Sequence, residues 1–330
     1  VIMGLKESLE ERRQREEAKR YFRSNNPYFF SSEMWMKLII SGLGVSLGCG
    51  LLYGLFTMLV RIQFSYVLAL IGVVMLIVKL GANDFSFDVF TYNGTLGDTI
   101  YYSVALFLCV IGFGANAGMF PLQSWLPTAH PVAPSNASAL LSGVITKAGV
   151  FLIIRTLYFV VSPSVIEGTI FHYVLIILAL ITVTLGSSMA WSCKDIKKRL
   201  AYSSVSQISY ILLGLFMFNE TALVGSLIHV LAHMCIKVTL FLVAGAMIYK
   251  THKRNVDDLN GIGKAMPIVM VCFSIASLGL VGVPPLSGFY SKWFIASGAL
   301  ATSIGALKYI ACAVLLVSAI LTAAYLLPIM

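Results

Sequence analysis

The sequence predicts an all-α fold, a polytopic transmembrane bundle of about eight or nine helices in which some spans are broken. Three observations carry that reading. Mean hydropathy is +0.89, with 58% hydrophobic and only 11% charged residues, which lies outside the range of soluble globular domains. Apolar runs long enough to span a bilayer recur along all 330 residues. Each run is apolar on all sides rather than alternating as a barrel strand would, and in lipid only a helix then satisfies the backbone.

Taken in order, residues 1–32 read as a charged extramembrane helix or linker that ends in an Asn-Asn-Pro turn. Residues 33–99 hold the first membrane segments, drawn at 34–60 and 64–80, and a loop at 81–99 that carries Asp84, Asp88 and Asp98 but no Lys or Arg. Further spans are drawn at 100–120, 137–161, 170–193, 200–218, 222–249, 265–290 and 306–328. The clusters Lys194–Arg199 and Lys250–Lys264 sit on one side by the positive-inside rule, and two spans between them keep that placement consistent. Counting back by alternation puts the acidic loop on the other side, as the rule prefers. It also puts residues 1–32 there, against their seven basic residues.

Two stretches interrupt the helical pattern, MFPLQSWLPTAHPVAPS at 119–135 and GLVGVPPLSGFYSK at 279–292. Each is either an ordinary loop or a break inside a span; paired breaks in two halves point to a transporter built from inverted repeats.

The net charge of +9 does not point to nucleic acid, because the basic residues gather in short clusters at helix ends, the positive-inside pattern, without interleaved stacking aromatics. Cysteines at 49, 109, 193, 235, 272 and 312 show no C-x-x-C or cluster spacing, so neither an iron–sulfur nor a zinc site is expected in this chain. No nucleotide-binding glycine fingerprint is present. The first 30 residues are charged rather than apolar, unlike a cleavable signal peptide.

The informative residues are ionisable groups inside apolar runs. Lys147 lies within the 25-residue run Ala137–Val161. His229, His233 and Lys237 follow at i, i+4 and i+8, on one face of a helix. Such groups cost at least about 2.5–3.5 kcal/mol each at membrane depth, so they mark function by default. H-x-x-x-H also suits zinc, yet no third ligand is evident and a lysine on the same face would repel the metal. The alternatives are packing histidines or a path in which imidazoles and desolvated lysines pass protons. Lys292 extends the set, while Arg155 and Lys308 lie nearer helix ends and are expected to snorkel. Tyr202, Ser203, Ser204, Ser206, Gln207 and Ser209 form an unusually polar start to the 200–218 span, and either line a hydrated channel or bond neighbouring helices. No carboxylate lies inside a later run; Glu33, at the lip of the first, is the one candidate partner for a buried cation.

Five segments carry a resemblance. GFGANAGMFPLQSWLPTAHPVAPSNASALLSGVITKAGVFLIIR (112–155), AYSSVSQISYILLG (201–214), HVLAHMCIKVTLFLVAGAMI (229–248), NVDDLNGIGKAMP (255–267) and GVPPLSGFYSKW (282–293) resemble the antiporter-like membrane subunits. These are shared by respiratory complex I, energy-converting membrane-bound nickel–iron hydrogenases and Mrp cation/proton antiporters. The match runs from about 100 to 328. HPVAPSNASALLSG reads closer to the hydrogenase-type members than to mitochondrial complex I subunits. The resemblance implies inverted repeats with broken helices, with 100–218 holding the first repeat and the start of the second, and 219–330 a second repeat that is cut short.

The resemblance further implies that Lys147 stands where the family has a connecting lysine, that His229, His233 and Lys237 match its histidine–lysine track, and that Lys292 matches a lysine of the second broken helix. The sequence departs from the family at Asn116, where a lysine is usual, and Glu33 is a poor stand-in for that lysine's glutamate partner. The expectation is a proton- or sodium-translocating subunit of a redox-driven complex, with a Mrp-type sodium/proton antiporter subunit and a membrane scaffold that has lost pumping as alternatives. No catalytic residue, metal site or cofactor is expected in the chain itself. Iron–sulfur clusters or a nickel–iron centre are expected in peripheral redox partners, alongside other membrane subunits. The expected location is a prokaryotic cytoplasmic membrane, or the mitochondrial inner membrane.

Overall fold

The computed structural model describes residues 67–76, 96–160 and 163–330, all within the unit Arg61–Met330. Glu33, the charged segment 1–32, the span at 34–60 and most of the acidic loop fall outside the described residues. The helices are α1 (Val67–Leu76), α2 (Leu96–Ala117), α3 (Trp125–Val132), α4 (Ser135–Phe159), α5 (Ile170–Ser192), α6 (Ile196–Phe216), α7 (Glu220–Thr251), α8 (Pro267–Val281), α9 (Ser287–Ala301) and α10 (Leu307–Leu326). Among the described residues, the helices α2, α4, α5, α7 and α10 are long and apolar enough to cross a membrane.

Helix starts follow ordinary capping chemistry. Asp195 accepts from Lys198 N at 2.9 Å, and Asn219 accepts from Thr221 N at 2.8 Å, satisfying amides that a helix cannot pair internally. A single antiparallel bridge between Asp195 and Asn255 ties the connection before α6 to the one after α7. The clusters Lys194–Arg199 and Lys250–Lys264 therefore lie on the same face of the bundle.

The centre of the bundle is its most polar helix. All of α6 except Lys198, Arg199 and Tyr202 is buried, including Ser203, Ser204, Ser206, Gln207 and Ser209. Helices α5 and α7 pack along it, and α3, α9 and α10 close over the remainder. Ser203, Ser204 and Ser209 bond carbonyls one turn back on their own helix, while Ser187, Ser206 and Ser318 meet across three helices at 2.5–3.2 Å.

Both suspected interruptions are real and share one device. Helix α2 stops at Ala117 before Gly118-Met119-Phe120-Pro121-Leu122, and α8 stops at Val281 before Gly282-Val283-Pro284-Pro285-Leu286. Gly118 has φ +91° and Gly282 φ +92°, left-handed values that admit glycine readily and end each helix at the same step of a G-x-x-P-L sequence. The predicted single span at 265–290 is corrected accordingly: it is α8, a break, and the start of α9, which continues to Ala301. The 119–135 stretch is also more than a loop, since it contains the eight-residue α3.

Candidate functional site: a buried row of lysines and histidines

Helix α4 contains a widened turn at Leu141–Ile145, a π-type irregularity of the kind that interrupts helices at functional positions. Within it the carbonyl of Ser142 accepts from Thr146 Oγ1 at 3.1 Å and from Lys147 Nζ. The Ser142 hydroxyl meets Ser204 Oγ at 2.7 Å and so fastens this turn to α6. Lys147 is thereby held 9% exposed, in the interior.

Helix α7 runs antiparallel to α6. Lys237 Nζ donates to Leu200 O at 2.9 Å and to Ser203 Oγ. One turn away His233 is fully buried, with neither ring nitrogen partnered by protein, and Gln207, one turn along α6 from Ser203, has both amide atoms in the same condition. One further turn on, His229 stacks on His233 at 6.0 Å and on Tyr210 at 5.9 Å. Ser291 Oγ lies 2.8 Å from His229 Nδ1 and 3.1 Å from Gly288 O, so the imidazole is hydrogen-bonded to α9 through Nδ1. His229 Nε2 is buried and has no protein partner.

Lys292, on α9, reaches back across the break. Its ammonium donates to Leu280 O at 2.6 Å and Val281 O at 3.0 Å, the last carbonyls of α8, and lies 5.1 Å from the Tyr210 ring centroid. Three of the sequence-predicted groups, His229, His233 and Lys237, thus form one stripe on α7, and Lys147 and Lys292 flank it from α4 and α9. His233 lies within electrostatic range of Lys147, Lys237, His229 and Lys292.

Two residues outside the predicted set join this row. His130, on α3, is fully buried, stacks on Phe241 at 4.5 Å and has no protein partner at either ring nitrogen. Phe241 lies one turn beyond Lys237 on α7, and His130 feels the charges of Lys237, Lys197 and Lys147. Lys197 is only 5% exposed and donates to Ala133 O at 3.0 Å. Asn116 is half-buried in the last turn of α2. Arg155 and Lys308 place their cations over Phe159 and Tyr309 at 5.2 and 5.3 Å. Among the described residues no Asp or Glu is buried, and no three His, Cys, Asp or Glu side chains gather as metal ligands would.

These features define a class, a helical membrane protein with two matched broken helices around a buried, cation-rich polar row. The chain belongs to the NADH:quinone oxidoreductase/Mrp antiporter transmembrane family, which matches residues 49–321. It is 40% identical over 236 residues to NADH-quinone oxidoreductase subunit N of Desulforudis audaxviator, covering 70% of this chain and 45% of that protein. Hydrogenase-4 component B of Escherichia coli is 33% identical over 278 residues, covering 80% of this chain and 39% of that one. A chain of the Mrp complex from a Dietzia species superposes with a TM-score of 0.71 at 28% identity, covering 82% of this chain and 48% of that chain. The chain therefore spans less than half the length of each of these relatives.

Proposed function

We propose that this chain is a proton-translocating membrane subunit of a redox-driven, multi-subunit complex of the complex I or membrane-bound hydrogenase type, and that it performs no electron transfer itself. The observation that carries the reading is the row of Lys292, His229, His233, Lys237, Lys147 and His130, ionisable groups inside a membrane bundle that no buried carboxylate neutralises among the described residues. Two unit charges ~10 Å apart repel by about 1.7 kcal/mol at an effective dielectric constant of about 20, so a proton arriving at one member shifts the occupancy of the next roughly tenfold. Such groups titrate as a set rather than singly.

Amines and imidazoles suit protons. A hard cation such as sodium calls for oxygen ligands, and a row of amines repels it. Lys147, His229, His233, Lys237 and Lys292 are assigned the transfer of protons; Ser204 and Gln207 supply polar lining. Iron–sulfur or nickel–iron centres are assigned to peripheral partner subunits, and other membrane subunits are assigned places beside the chain. The relatives are bacterial, which supports a prokaryotic cytoplasmic membrane.

A second reading draws on the Mrp likeness: the same row would carry the proton leg of a sodium/proton antiporter without a redox partner. Gentle-detergent purification with mass spectrometry of all co-migrating chains separates the two. Iron–sulfur or nickel–iron subunits are the expected result. Recovery with small membrane subunits alone overturns the redox-driven reading in favour of the antiporter.

A further inference from the structure

Of the basic cluster that opens α6, one member behaves unlike a surface charge. Lys194 is 75% exposed beside Asp257 at 3.2 Å, and Lys198 is exposed. Arg199 closes helix ends, donating to Cys193 O at 2.8 Å and Tyr325 O at 2.9 Å. Lys197 turns inward, 5% exposed, and its ammonium sits on the carbonyl of Ala133, the residue that ends α3. One turn back along α3 stands His130, fully buried with two unpartnered ring nitrogens and within electrostatic range of both Lys197 and Lys237. The other charged groups facing Lys197 are Arg254, from the connection after α7, and Asp195, from its own helix cap.

We propose that Lys197 is the proton-exchanging port of the row: it takes protons from, or releases them to, the membrane face that bears Lys194–Arg199, and passes them to Lys237 through His130. The proposal rests on the reading of the chain as a proton-translocating subunit. Its geometry supplies what a port requires. Lys197 lies at the end of a helix whose first residues carry the basic face, and its side chain is withdrawn from water. The imidazole of His130, within electrostatic range of both Lys197 and Lys237, has neither ring nitrogen partnered by protein. The rival reading is a plain cap, in which a permanent positive charge satisfies the carbonyl that ends α3, as Arg199 does at Tyr325 O.

Arginine separates the two, because guanidinium keeps the charge and the donors but does not release its proton in a protein. The assembled complex carrying Lys197→Arg, Lys197→His or Lys237→Ala is reconstituted into proteoliposomes, and proton uptake is followed with a pH-sensitive dye as a function of pH. As a port, Lys197→Arg transports at less than a tenth of the wild-type rate, while Lys197→His recovers several-fold over Arg with its rate–pH profile displaced to lower pH. Wild-type rates with Lys197→Arg, or an Arg variant at least as fast as His, overturn the proposal. If Lys237→Ala also transports normally, it is the functional reading itself that falls.

Discussion

Lys292 and Leu280 face each other across the second helix break, the ammonium of one donating at 2.6 Å to the carbonyl of the other. A glycine with φ +92° ends α8 and leaves its last carbonyls without intrahelical donors, and a cation from the following helix supplies them. The first break meets the same need with a neutral group: Trp125 Nε1 donates to Ala115 O at 2.8 Å. The two breaks share their turn but differ in the charge that closes it, so only the second places a titratable group at its hinge.

Lys292→Met should therefore leave two carbonyls short of a donor and lower stability by about 1–3 kcal/mol. Thermal unfolding of the solubilised complex checks this. Lys292→Arg is expected to retain most of the stability, and equal midpoints for Met and wild type would contradict the capping role.

Ser291→Ala removes the hydrogen-bond partner of His229 Nδ1 without touching the row's ionisable groups. A loss of about 1 kcal/mol and a several-fold slower proton uptake are expected, because the imidazole is no longer anchored at Nδ1. Unchanged uptake in an assembled complex would remove Ser291 from the account.

Gly149 lets α4 close onto α2. A Cβ there would lie 2.7 Å from both Phe113 O and Ala117 N, backbone atoms that cannot swing aside. Gly149→Ala should destabilise by about 1–3 kcal/mol despite alanine's better helix propensity. Gly263→Ala, where a Cβ would meet nothing within 4 Å, is the matched control and should leave the midpoint in place.

The stripe of His229, His233 and Lys237 was legible in the sequence because ionisable residues at helical spacing inside an apolar run have one physical arrangement, and α7 keeps it. Lys147 was legible for the same reason, although the widened turn that positions it was not. His130 was hidden by its prolines. Pro127 falls in the first turn of α3, where a missing N–H leaves nothing unpaired, and Pro131 comes at its end, so a stretch that read as a break or loop holds a helix. Lys197 was hidden by its neighbours, since a lysine in a basic cluster reads as a solvated charge and only the packing of α3 against α6 buries it. The span read at 265–290 ran through the interruption that the prolines at 284 and 285 already signalled, because an apolar run alone does not show that Gly282 turns the chain.

The central claim, that protons move along the buried row, is tested most directly by proton uptake into proteoliposomes bearing the intact complex with Lys147→Ala or Lys237→Ala. The uptake is driven by the complex's own electron transfer or, if no redox subunit is present, by an imposed sodium gradient. The account predicts that either substitution reduces uptake at least tenfold while the subunit composition stays that of the wild type. Wild-type uptake by both variants, each fully assembled, would contradict it and leave the row as packing within a scaffold.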